Sequence, residues 1–162
     1  MSERLSLAVR RNRGKARSAT YLDKLSRQLG RPSVTIDLFS LEETDRALDS
    51  YGIGRARAEA ECGASGAFCA KAASPREIIS LVPELMLMPD KPAMVFPTDR
   101  EVCGAARTTI HEVLARLDAL WIPENGDDVL AATADGSVGV FCAYDEGFGD
   151  QSCRIIAWFE SQ

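Results

Sequence analysis

The stretch "DVLAATADGSVGVFCAY", residues 128–144, decides the fold. Two strand-like runs, "DVLAAT" and "SVGVFCAY", flank Asp135-Gly136, one of the strongest short signals for a hairpin. A type I′ turn there, with two positive φ angles, pairs Thr133 with Val138 and Ala131 with Val140. A third run, "CRIIAWF", occupies residues 153–159. If its connection closes symmetrically about Gly147 and Phe148, Val140 faces Ile155 and Cys142 faces Cys153. The result is a three-stranded antiparallel meander at the C-terminal end of the sequence. Both faces of its last two strands are apolar, so helices are expected to cover the sheet. The fold class is α+β, with helices packed on a mainly antiparallel sheet.

Upstream of the meander the chain reads as helices with stops. Tyr21, Leu22, Leu25 and Leu29 share a helical face from Ser18 to Leu29, and Gly30 is placed to end it. "VTIDLF" after Pro32 reads as a strand. Ser40/Glu43, Ser74/Glu77 and Thr98/Glu101 each place a hydroxyl three residues before a glutamate, the signature of a capping box. The first of these helices is expected to end near Tyr51, with Gly52 as cap. In the second, Pro75 suits the first helical position, Pro83 splits the helix and Pro89 ends it. The Ala/Gly-rich residues between these two helices suggest one short helix, and "AMVF" a short strand. The third helix is expected to run from Thr98 to Leu120, because Val102, Ala106, Thr109, Ile110, Val113, Leu117 and Trp121 recur at helical spacing. Residues 1–17 are set apart as a basic arm, poorly ordered or a short helix ending near Gly14. Residues 18–162 are expected to form a single domain.

The charge is divided unevenly. Residues 1–31 hold nine Lys/Arg against two Asp/Glu, while the remainder holds ten against 22, giving the net −5. An acidic body repels nucleic acid and membranes and attracts cationic surfaces. No apolar run is long enough for a bilayer span and no secretory h-region precedes the domain, so a cytoplasmic location is expected. The five cysteines form no CxxC pair, and with one histidine they offer no zinc pattern. They read as small buried hydrophobes, with a Cys142–Cys153 bridge as the alternative for that pair.

The meander has a consequence for chemistry. Its first strand and the 144–151 connection must begin and end at one end of the sheet. Glu124, Asp127 and Asp128 are thereby expected beside Asp145, Glu146 and Asp150. Phe148 lies mid-loop and Tyr144 at its start. The commonest explanation of such a charge run is a solvated rim. A second reading is a docking edge for a basic protein, made of these carboxylates and Tyr144 with Phe148 as the apolar anchor. A third is a Ca²⁺ or Mg²⁺ site, but "DEGFGD" lacks the ligand spacing of an EF-hand loop. His111 is expected on the wet face of its helix, and no nucleophile elbow, zinc-protease, phosphate-loop or dinucleotide motif is present. No catalytic residue, metal or cofactor is assigned.

This plan of capped helices, a C-terminal meander and an acidic rim resembles that of bacterial toxin-immunity proteins, including those of contact-dependent inhibition systems. The resemblance spans residues 34–159 and transfers no individual site residue. It implies a cytoplasmic, non-catalytic protein that occludes a cognate toxin domain, such as a basic nuclease. The alternative is a nucleic-acid-linked regulator. "YLDKLSRQLGRPSV" is similar to the first helices of a helix-turn-helix, and Arg10, Arg11, Arg13, Lys15 and Arg17 would contact phosphates. Against it, the segment expected as recognition helix reads as a strand. A small enzyme or divalent-metal-binding domain is a further alternative.

Overall fold

A computed structural model describes residues 3–62, 66–97, 100–121, 128–144 and 152–159. Its centre is one six-stranded sheet of order β1-β6-β5-β4-β2-β3, antiparallel throughout. The strands are β1 (Ala67–Ala72), β2 (Pro92–Val95), β3 (Ala106–Thr109), β4 (Val129–Ala132), β5 (Val138–Tyr144) and β6 (Cys153–Phe159). The helices are α1 (Glu3–Leu29), α2 (Leu41–Ala60), α3 (Pro75–Leu81), α4 (Arg100–Cys103), α5 (Ile110–Ala115) and α6 (Leu117–Leu120). The protein is therefore α+β, with β4–β6 forming the C-terminal meander.

Alternation along the strands sorts side chains onto two faces. Val140, Cys142, Cys153, Ile155 and Ala157 point to one, beneath Leu25 of α1, Ile78 of α3 and Val113 of α5. Phe141, Ile156 and Trp158 point to the other, beneath Ala47, Tyr51 and Ala58 of α2. Helices thus cover both faces of the meander strands. The Trp158 indole fits because two neighbours lack side chains. A Cβ on Gly139 would stand 2.2 Å from its ring, and one on Gly54 2.6 Å from its Nε1. That Nε1 donates to the Gly136 carbonyl at 2.9 Å.

The capping signature holds at two of the three expected starts. The Glu43 amide donates to Ser40 Oγ at 3.2 Å, and the Ser40 amide to Glu43 Oε2 at 2.9 Å. The Glu77 amide donates to Ser74 Oγ with Pro75 at the first position. Thr98 lies outside the described residues. Pro83 separates α3 from a 3-10 turn at Pro83–Leu87, and "AMVF" lies largely within β2.

Several expectations are corrected. The first helix starts at Glu3 rather than Ser18, and Gly30, with φ of 67°, follows its end. "VTIDLF" forms no strand: Ser33–Thr35 is a 3-10 turn, and Leu38 makes only an isolated bridge to Ala106. The helix expected to stop at Tyr51 with Gly52 as cap runs on to Ala60: Gly52 is an interior helical position, and Gly54 beyond it makes room for Trp158. β1 occupies part of the segment read as a short helix. The single helix over Thr98–Leu120 is instead α4, β3, α5 and α6. Gly104, at φ of 88°, breaks the first, and Thr109 restarts the chain by accepting from the Glu112 amide at 3.3 Å.

In the meander, Ala131 pairs with Val140 and the Thr133 amide donates to the Val138 carbonyl, as expected. The turn is not type I′, since only Gly136 takes a positive φ. Asp135 secures the turn through its side chain instead. It accepts from Thr133 Oγ1 at 2.5 Å, Ser137 Oγ at 2.8 Å and the Ser137 amide at 3.0 Å. These bonds hold its carboxyl at about 2, below the ordinary 3.8. The β5–β6 register differs by two residues: Cys142 faces Ile155, and Tyr144 faces Cys153. A shift of two preserves the faces, so both cysteines remain buried. They are free thiols, and hydrogen bonding to Cys153 together with burial pushes the Cys142 thiol up. The disulfide lies elsewhere, joining Cys62 after α2 to Cys69 in β1.

Candidate functional site: the acidic end of the meander

The registers fix which chain ends meet. Val129, the first residue of β4, pairs with Cys142, and Tyr144, the last of β5, pairs with Cys153, the first of β6. Asp128, Tyr144 and Ser152 therefore stand at one end of the sheet. Residues 122–127 join the described chain there at Asp128, and residues 145–151 join it there at both of their ends. Of the eight predicted site residues, the structure places Asp128, which is exposed, and Tyr144, whose exposure is 41%. Glu124, Asp127, Asp145, Glu146, Phe148 and Asp150 lie outside the described residues.

Further groups belong to the same end. Ala72 of β1 pairs with Cys153, and Ser74 caps α3 two residues later. There the Arg76 amide donates to Asp118 Oδ1 of α6 at 2.9 Å. Asp118 and Asp128 both act on the buried Cys142 thiol, and both favour its neutral form. Asp118 is an acidic member that sequence reading missed. It is separated from Arg76 by 42 positions, so only the tertiary fold brings them together.

Cations are also present. Lys24 and Asp128 line one small cleft of about 10 Å³, with Gln28, Leu120 and Val129. Arg154, the second residue of β6, reaches across to Glu59 of α2 at 3.8 Å. One cation is thus directed towards α2, whereas Lys24 of α1 shares the cleft of Asp128. Tyr144 supplies a half-exposed ring at the same end of the sheet.

The other sequence candidates fall elsewhere. His111 Nε2 lies 2.7 Å from the Met88 carbonyl, and the His111 amide donates to Asp90 Oδ1. The histidine ties the 88–90 segment to α5, and its side chain is only partly exposed at 38%. The cations proposed for phosphate contact are partly committed within the fold. Arg10 grips Asp45 with two bonds of 2.8 and 2.9 Å, and Arg11 pairs with Glu42 at 2.5 Å. The Arg10 bond holds the Asp45 carboxyl below its ordinary value. Among the described residues, no cluster of three His, Cys, Asp or Glu side chains is arranged to hold a metal ion. No helix among them is long and apolar enough to cross a membrane.

Comparison with protein-family models, with curated proteins and with solved structures finds no match to this chain.

Proposed function

We propose that this is an immunity-type protein that binds a cognate toxin domain through the acidic end of the meander and blocks it by occlusion, without catalysis. The observation that supports the reading is the shared sheet end of Asp128, Tyr144 and Ser152. Both acidic segments join the chain there, with Asp118 close by. Carboxylates that these segments bring to one border would repel each other in the free protein, and a basic partner would relieve that repulsion. Tyr144 adds an apolar contact at the same border.

The regulator reading is less well supported. Arg10 and Arg11 are held by Asp45 and Glu42. The segment needed as a recognition helix is a 3-10 turn followed by one isolated bridge. The test is a titration against any toxin domain found to be encoded beside this gene. Inhibition should be complete near equal molar amounts. Full toxin activity with the protein in large excess, or no toxin gene in that position, argues against the assignment.

A further inference from the structure

A second surface differs in chemistry from the acidic end. Between the first half of α1, the segment entering α2, and α4 lies a groove of about 340 Å³. That size falls within the range of small-ligand pockets. It equals roughly eleven water volumes, enough for a chain of about ten carbons. We propose that this groove binds a small amphipathic anion, of the class of medium-chain carboxylates. The inference stands independently of the immunity reading.

The floor of the groove is rigid and apolar. Leu41 and Val102 are buried there, at 6% and 7% exposure. Gly14 brings the backbone of α1 directly against α4: a Cβ at that position would lie 2.0 Å from the Val102 carbonyl oxygen. The two helices cannot move closer and fill the space. Leu38, Phe39 and Cys103 form half-exposed walls. An apolar concavity of this kind favours a hydrocarbon tail over water.

The rim selects the sign of the head group. Lys15 is exposed, and its ammonium has no partner among the described residues. Arg11 lies one turn earlier on the same face of α1. Among the described residues, the one carboxylate lining the groove, Glu42, is already paired with that arginine. A cationic head would meet Lys15 and Arg11, whereas a carboxylate finds Lys15 available. A simple inorganic anion would use the rim alone and leave the apolar walls wet.

Cys103 supplies the readout. It is half-buried in the groove wall, whereas the other free thiols, Cys142 and Cys153, are fully buried. Alkylation of the native protein by iodoacetamide, followed by mass spectrometry, should modify Cys103 alone. Decanoate should slow that reaction about fivefold or more, with a half-effect near about 1 mM. Decyltrimethylammonium, with the same tail and opposite charge, should give no protection, and neither should acetate. Lys15→Glu should weaken decanoate protection by about fivefold relative to the variant's own unprotected rate. Leu38→Asp should weaken it independently through the tail. Equal protection by the cationic and anionic amphiphiles overturns the proposal, as does no protection by decanoate. Alkylation of Cys142 or Cys153 in decanoate also overturns it, because it marks unfolding in place of binding.

Discussion

Two glycines in α2, two residues apart, should respond oppositely to the same substitution. Around Gly52 no atom lies within 4 Å of an added Cβ. Gly52→Ala should therefore show only the helix-propensity gain, about 1 kcal/mol. At Gly54 the added methyl would lie 2.6 Å from Trp158 Nε1 and 2.7 Å from the Gly136 carbonyl oxygen. It falls between the donor and acceptor of a buried hydrogen bond of 2.9 Å. Overpacking costs about 1–3 kcal/mol. A buried indole N–H left without its acceptor adds about 1–3 kcal/mol. After subtracting the propensity gain, Gly54→Ala should destabilise by about 1–5 kcal/mol. Urea denaturation of both variants with a common m-value measures the contrast. In thermal melts each kcal/mol corresponds to about 2–4 °C for a chain of this size. Equal stabilisation by both substitutions would refute the placement of Trp158 between α2 and β5.

Reduction of the Cys62–Cys69 bridge opens a loop of eight residues, whose closure is worth about 2.5 kcal/mol in the chain-entropy treatment. The Cys62→Ser/Cys69→Ser variant should lose that stability and become indifferent to dithiothreitol; equal sensitivity in both proteins counts against the bridge. Unfolded, unreduced protein should show three reactive thiols, Cys103, Cys142 and Cys153; five would remove the bridge altogether. Asp135 has a folded-state value depressed to about 2. Its contribution is therefore present above the ordinary value of 3.8 and is lost as pH falls through about 2. The stability difference between the protein and Asp135→Asn should be largest near pH 6 and shrink between about pH 4 and pH 2. A difference that stays constant across that window contradicts the turn chemistry.

The meander was legible because several independent cues agreed. Asp135-Gly136 marked the reversal, and three apolar runs of strand length flanked the two connections. What the residues could not give was the register across residues 145–152. A symmetric closure is no more than a guess about loop geometry, and a shift of two costs nothing in facial pattern. The helix errors have a different origin. Ala106, Thr109, Ile110 and Val113 recur at helical spacing, yet the first two belong to β3. Gly104 and the Thr109/Glu112 pair, the same capping signature used elsewhere, were the signals that this segment breaks and restarts. Gly52 misled as a stop because what holds the helix beyond it is tertiary: Gly54 packs on Trp158, more than a hundred residues away. Sequence also could not reveal that Arg10 and Arg11 close onto α2, or that Asp118 joins the end of the sheet carrying Asp128.

The central claim is that carboxylates at one end of the meander draw in a basic partner. It is tested most directly by the association rate, at low and high salt, with a toxin domain that the protein is found to neutralise. Asp145→Asn/Glu146→Gln/Asp150→Asn should associate about tenfold more slowly at low ionic strength and lose much of the salt dependence. An association rate equal to that of the unaltered protein, with the same salt dependence, would contradict the account.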